Sequence, residues 1–390
     1  VAGESFGLGE VLVAAENASP VQSVAVVARN LRDRFDASDV SFLFVDLIGQ
    51  EVVRLADQRG SESGHTAERF RLRGSVYDDV LRSQRLYRES RRDGQERVLA
   101  PVTNRGDVIG LLELTVPHTD EAVRRQIGEA AHALAYIIVT DRRFTDLYHS
   151  GQRTTRMGLG SEIQHQLLPS ASCCEAAEFT VACGLVPADN VGGDTYDYAL
   201  DRNTLHLSIT DAMGHDVDSA ILATLLVGAL RRARRERGDV LEQARQAHQA
   251  LSHYNRGFAT GQLFRVDLEQ GMVQVVNAGH PRPLLLRDGE VREVHLDADL
   301  PFGVPMTWPY SIQKLELRLG DRLILITDGM REREAAALDL PALIREGRDL
   351  HPREAVRALT SAVNDVAHGD LQDDATVLCF DWNGPATTPS

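Results

Sequence analysis

The stretch "LILITDGMRE", residues 323–332, carries five apolar or β-branched residues straight into Asp328-Gly329. A second stretch upstream, "LHLSITDAMGH", residues 205–215, also closes on Ile-Thr-Asp. An apolar run of this kind, bounded by turn residues, predicts a strand buried in a sheet. Asp-Gly is an ordinary turn signal. Yet "MREREAAAL", which follows Asp328, does not alternate as the return strand of a hairpin would, and the chain after Asp211 reads as helix. The reading that decides the fold is that two strands each end by delivering a carboxylate to one shared site.

Two further acidic clusters sit at strand ends in the same half of the chain: "VGGDTYDYAL" (191–200) and "LQDDATVL" (371–378). With the first two they give Asp194, Asp197, Asp211, Asp328, Asp373 and Asp374 as candidate carboxylates. Adjacent like charges before a buried strand, as at Asp373-Asp374, repel, and a bound cation removes that cost. All-oxygen donors suit Mg²⁺ or Mn²⁺. Two such ions sharing a carboxylate can activate water for in-line attack on phosphorus. The four cysteines form no C-x-x-C pair, which argues against structural zinc.

Composition sets the frame. The 390 residues are 43% hydrophobic and 25% charged, enough for two domains with real cores. A net charge of −15 argues against nucleic acid or an anionic membrane as partner. No apolar run approaches membrane-spanning length, and "VAGESFGLGE" lacks the pattern of a secretory signal. The scarcity of cysteine points to a reduced, cytoplasmic setting. The stretch opens on Val1 rather than Met, as expected of a piece of a longer chain.

Along the chain, residues 19–35 read as an amphipathic helix with Ser19 as N-cap and Pro20 at its first position. "VSFLFVDL" (40–47) and "QEVVRLA" (50–56) read as strands, and residues 97–116 as a hairpin turning at Asn-Arg-Gly-Asp. From Asp120 a long helix is expected. Its stripe of Ile127, Ala130, Leu134, Ile137, Phe144 and Tyr148 suits either a dimer connector or packing on its own domain. A shorter helix, 157–169, stops at Pro169. After residue 178, strands, two helices, more strands and a last helix predict two antiparallel sheets flanked by helices, an α+β fold. The divisions expected are 1–120, 121–169, 170–383 and a tail at 384–390.

The motifs "VGGDTYD", "DAMGHDVDSA", "NAGHPRP", "TDGMRE" and "DDAT", in this order, resemble the PPM-type (type 2C) metal-dependent protein phosphatases, in their SpoIIE/RsbU-like branch. The resemblance covers about residues 160–382. It implies an αββα sandwich and phosphoserine/phosphothreonine hydrolysis with two Mn²⁺ or Mg²⁺ ions. It implies that Asp211 bridges both metals with help from the Ala212 carbonyl, that Asp328 and Asp373 complete one metal's shell, and that Asp194 binds through water or serves an accessory ion. Asn277, Gly279 and His280 would shape the rim, and Asp374 would support from behind. The implied substrate is a phosphorylated anti-anti-sigma-type regulator. Two positions depart from the pattern, Ala212 and Asp216, the latter read as an N-cap for the following helix; His215 is a weaker candidate general acid. These departures motivate an alternative, a degenerate phosphatase fold that binds without hydrolysis. Residues 1–120 resemble a GAF sensor domain, through "VSFLFVDL" and "LAPVTNRGDVIGLLELTV", which implies a small-molecule ligand or dimerisation. Input would pass through 121–169, with "SEIQHQLLP" as the switch.

Overall fold

A computed structural model of the protein describes residues 8–54, 68–152, 157–188, 192–214, 216–305, 310–331 and 333–386. The chain forms two compact units, Val1–Arg156 and Met157–Ser390. The helix expected at 157–169 runs Leu159–Leu167 and belongs to the second unit.

The first unit is built on a six-stranded antiparallel sheet in the order Glu68–Arg71, Glu51–Arg54, Asp39–Val45, Asp107–Val116, Glu96–Asn104, Tyr87–Ser90. The central hairpin turns at Arg105-Gly106, both with positive φ (45° and 82°), as a two-residue turn between twisted strands requires. One face packs on helices Leu8–Glu16, Ser23–Phe35 and Glu121–Asp141. The other face carries helix Val76–Ser83, whose N-cap Ser75 accepts from the Asp78 amide. Helix Ser23–Phe35 starts later than expected: Pro20 lies in a turn closed by the Gln22 amide on the Ser19 carbonyl, and Gln22 is the N-cap.

The long helix expected from Asp120 is interrupted. Asp120 caps it, but it ends at Asp141, and a short helix, Leu147–Gln152, follows. Ile127, Ala130, Leu134 and Ile137 are buried in the first unit's core, and Tyr148 is buried with its hydroxyl donating to the Pro20 carbonyl. Phe144 falls between the helices and is exposed. The apolar stripe therefore covers the unit's own sheet; it is not a seam left open for a partner helix.

The second unit is an αββα sandwich. One sheet has five antiparallel strands in the order Gln313–Glu316, Met272–Ala278, Ala259–Asp267, Thr204–Ala212, Asp194–Asp201. The other has six, in the order Glu290–Glu293, Leu284–Arg287, Arg322–Ile326, Ala375–Trp382, Phe179–Val186, Cys173–Glu175. Alternation decides which side each residue serves. Leu323 and Leu325 point between the sheets with Leu205, Leu207, Ile209, Leu378 and Phe380. Ile324 and Ile326 point outward, under helices Leu340–Glu346 and Pro352–Val366. A strand covered on both faces must be apolar at every position, which is why "LILI" does not alternate. On the outer face of the five-stranded sheet lie helices Asp216–Arg235 and Val240–Tyr254. Each fully buried leucine here stabilises by roughly 1.5–3 kcal/mol.

Candidate active site

Both Ile-Thr-Asp endings lie at the same end of the sandwich. Asp211 is directly opposite Asp194 on the neighbouring strand and opposite Thr260 on the other side. Asp328 opens a 3₁₀ turn, Asp328–Met330, that follows strand Arg322–Ile326 at once, with Thr327 as its N-cap. The turn is forced by crowding. A Cβ on Gly329 would sit 2.0 Å from the Asp374 carbonyl oxygen, so only glycine lets the Asp328 turn approach the Asp373-Asp374 loop. Gly193 plays the same part beside Asp194, where a Cβ would lie 2.3 Å from the Ala212 carbonyl oxygen. Ala212 itself is buried, and its amide donates to the Gly193 carbonyl.

Asp194 is the most constrained of the carboxylates. Its Oδ2 accepts from Thr327 Oγ1 (2.7 Å) and from Thr376 Oγ1 (2.6 Å), both on the opposite sheet. Thr327 Oγ1 in turn accepts from the Thr376 amide (3.0 Å), so its one proton is committed to Asp194. Burial, with the Asp211 and Asp374 carboxylates nearby, pushes the Asp194 carboxyl well above the usual range. Asp374 is also buried and is pushed up to about 6, chiefly by burial. Its Oδ1 accepts from the Ala188 amide (2.9 Å) and its Oδ2 from Gln164 Nε2 (2.5 Å), so it ties loops together. Gln164 Nε2 also donates to the Asp194 carbonyl (2.7 Å). Asp373 accepts the Asp374 amide on Oδ1 and is half-buried.

Asp211 and Asp328 line one cavity of about 440 Å³, together with Thr260, Asn277, His280 and Arg282. His280 is buried; its Nδ1 pairs with Thr260 Oγ1 (2.8 Å) and its amide donates to Asn277 Oδ1 (3.0 Å). Burial, only partly opposed by the Ile326 carbonyl, lowers its imidazole to about 3, so it is neutral at ordinary pH. Asp197 is spent elsewhere, in ion pairs with Arg231 and Arg234. The helix after Asp211 begins at Asp216; His215 lies outside the described residues. Thr327, Thr376 and Arg282 were not singled out in the sequence, although both threonines stand inside the motifs T-D-G and D-D-x-T; Gln164 lies in the segment expected as the switch.

The donor set is oxygen throughout, and carboxyls pushed toward protonation by burial, with neighbouring carboxylates adding to it, mark a place where a divalent cation would relieve the cost. Among the described residues, no three histidine, cysteine or acidic side chains close on a single point. The chemistry of the site thus fits a hard cation, while the side chains stand apart as a water-retaining ion such as Mg²⁺ tolerates.

Residues 201–383 match the family model for the stage II sporulation protein E, SpoIIE. The second unit carries a SpoIIE-type domain. The SpoIIE match begins inside that unit, and the GAF likeness of the first unit has no counterpart in it. The chain is 22% identical over 269 residues to the phosphoserine phosphatase RsbU of Bacillus subtilis, covering 63% of this chain and 78% of that protein. It is 24% identical over 160 residues to the phosphoserine phosphatase RsbP of the same organism, covering 38% of this chain and 39% of RsbP. A crystal structure of the RsbU and RsbW domains of a Mycobacterium tuberculosis protein is 24% identical, covers 54% of this chain and 61% of that one, and has a TM-score of 0.47. Among the described residues, no helix is long and apolar enough to cross a membrane.

Proposed function

We propose that the chain is a Mn²⁺- or Mg²⁺-dependent phosphoserine/phosphothreonine protein phosphatase. The observation that carries this reading is Asp211 and Asp328 lining one cavity, with Asp194 paired across the strand to Asp211. Asp194, Asp211, the Ala212 carbonyl, Asp328 and Asp373 would hold the ions. A bound pair of such ions would supply Lewis-acid polarisation of the phosphoryl group and an activated water near neutral pH. The chain's own part is positional. Thr327 and Thr376 fix one oxygen of Asp194, and Gly193 and Gly329 let backbone close around the carboxylates. Neutral His280 holds the Asn277–Thr260 wall. Hydrolysis of p-nitrophenyl phosphate should require Mn²⁺, stop with EDTA, and fall at least about 100-fold in Asp211→Asn and Asp328→Asn. Metal-independent turnover, or full turnover in both variants, would refute the reading.

The substrate proposed is a phosphorylated anti-anti-sigma-type regulator in the cytoplasm. The first unit would act as a GAF-like sensor for a small molecule, within a homodimer, and signal through residues 121–169. Support comes from Gln164, whose amide touches both Asp194 and Asp374 from helix Leu159–Leu167. Gln164→Pro should change turnover while Mn²⁺ still binds; unchanged turnover would sink the switch. The second reading, a degenerate phosphatase fold, rests on Ala212 and Asp216 where the family pattern has other residues. Mn²⁺ binding with no turnover, even by the isolated second unit, would favour it.

A further inference from the structure

We propose that Arg282 is the side chain that binds the substrate's phosphate group, with Asn277 as a second donor. This inference rests on the phosphatase reading and names the recognition element of the same site. The carboxylates of the cavity, Asp211 and Asp328, would be taken up by the ions they hold, and a phosphomonoester dianion entering it still needs donors for its remaining oxygens. Arg282 is the one cationic side chain among the described residues that line it, since His280 is neutral.

The surroundings of Arg282 differ from those of the arginines of this unit that are tied into buried ion pairs. Arg231 and Arg234 are paired with Asp197, Arg287 with Asp321, and Arg322 with Asp381. Arg282 forms no ion pair among the described residues. Its only hydrogen bond there is a long one from Nε to the Leu296 carbonyl (3.4 Å), which leaves both terminal nitrogens uncommitted. The root of the side chain is held firmly. Gly279 takes φ +71° against Pro301, the His280 amide donates to Asn277, and the Pro281 carbonyl accepts from Gln262 Nε2 (2.8 Å). A fixed backbone carrying a free guanidinium is a preorganised donor, and two parallel N–H groups match two phosphate oxygens. Asn277 lines the same cavity, is 1% exposed, and its Nδ2 is buried without a partner. A buried donor left unmade is costly, and an incoming phosphate oxygen would satisfy it.

The test uses the full chain with Mn²⁺. Arg282→Ala should raise KM for p-nitrophenyl phosphate and for a phosphoserine peptide about 10- to 100-fold, leave kcat within about threefold, and weaken inhibition by inorganic phosphate to match. Arg282→Lys should recover part of the loss, because it keeps charge but not the fork. Arg282 is exposed, so the variant should melt at the wild-type temperature. Unchanged KM and phosphate inhibition, with Mn²⁺-dependent turnover intact, would overturn the assignment and leave the phosphatase reading standing. So would a higher KM for the peptide alone, since Arg282 would then touch the peptide and not the phosphate. If the wild type shows no turnover, calorimetric titration with inorganic phosphate decides: weaker binding by Arg282→Ala supports the assignment, while equal binding, or none by the wild type, overturns it.

Discussion

At residue scale, the site is governed by contacts too close for a β-carbon. Gly329→Ala must displace the Asp374 carbonyl 2.0 Å away, and with it the Asp373-Asp374 loop. Turnover should fall at least about tenfold and thermal stability should drop by several degrees. Gly228 is the control. It lies within helix Asp216–Arg235 with nothing within 4 Å of an added Cβ. Gly228→Ala should therefore leave turnover alone and stabilise by about 0.5–1 kcal/mol through helix propensity, read as a raised Tm. His206 makes a different prediction. It is buried on the outer face of its strand with Nδ1 3.3 Å from Gln243 Nε2, and burial, aided by Arg234 and Arg265, lowers its imidazole to about 4. The unfolded chain then binds the extra proton first. The cost appears as pH falls below about 6.5 and is complete near 4, at about 3 kcal/mol. Asp374, raised to about 6, acts with the opposite sign over part of that window, because its folded form gains a proton before the unfolded one does. Comparing wild type with His206→Gln cancels the Asp374 contribution: the variant should lose less stability between pH 6.5 and 4, and parallel curves would contradict the assignment. The identities of Asp194, Asp211 and Asp328 could be read from the sequence because motif and strand end coincide. Arg282 could not, because its meaning depends on which carboxylates other arginines have already taken.

At the scale of elements, periodicity told strand from helix but not what covered each face. The continuous run at 323–326 was legible as a buried strand because both faces are covered, one by the opposite sheet and one by helices. The stripe from Ile127 to Tyr148 was ambiguous for a physical reason: a helix seam looks the same in sequence whether a sheet or a second helix fills it. Here the sheet fills it, and the helix stops at Asp141. Helix Leu159–Leu167 shows the converse. Its moderate stripe says little, yet it places Gln164 fully inside the second unit, where its amide bridges a backbone carbonyl and a carboxylate. A buried glutamine in a short helix is recognised only when its partners, 30 and 210 residues away, are in view.

At the scale of the whole molecule, the chain carries separate cores. The clusters around Phe44 and Leu43 lie in the first unit, and those around Leu325, Ile324 and Leu226 in the second. Calorimetry should resolve two transitions. Leu325→Ala, at a position with no exposed surface between the sheets, should lower one of them by the equivalent of about 2–5 kcal/mol and leave the other in place. A single transition shifted as a whole would show the units melting together.

The bond from Thr376 to Asp194 spans 182 residues and joins the two sheets. Thr376 belongs to the last strand, Ala375–Trp382, and Asp373 stands just before it. During synthesis, the carboxylates at 194, 211 and 328 all leave the ribosome before that strand does. Until it threads into the middle of its sheet, Asp194 lacks an anchor and the site lacks a wall. On the phosphatase reading, a growing chain would therefore be inert, and turnover would begin only once translation of this domain has nearly run its course.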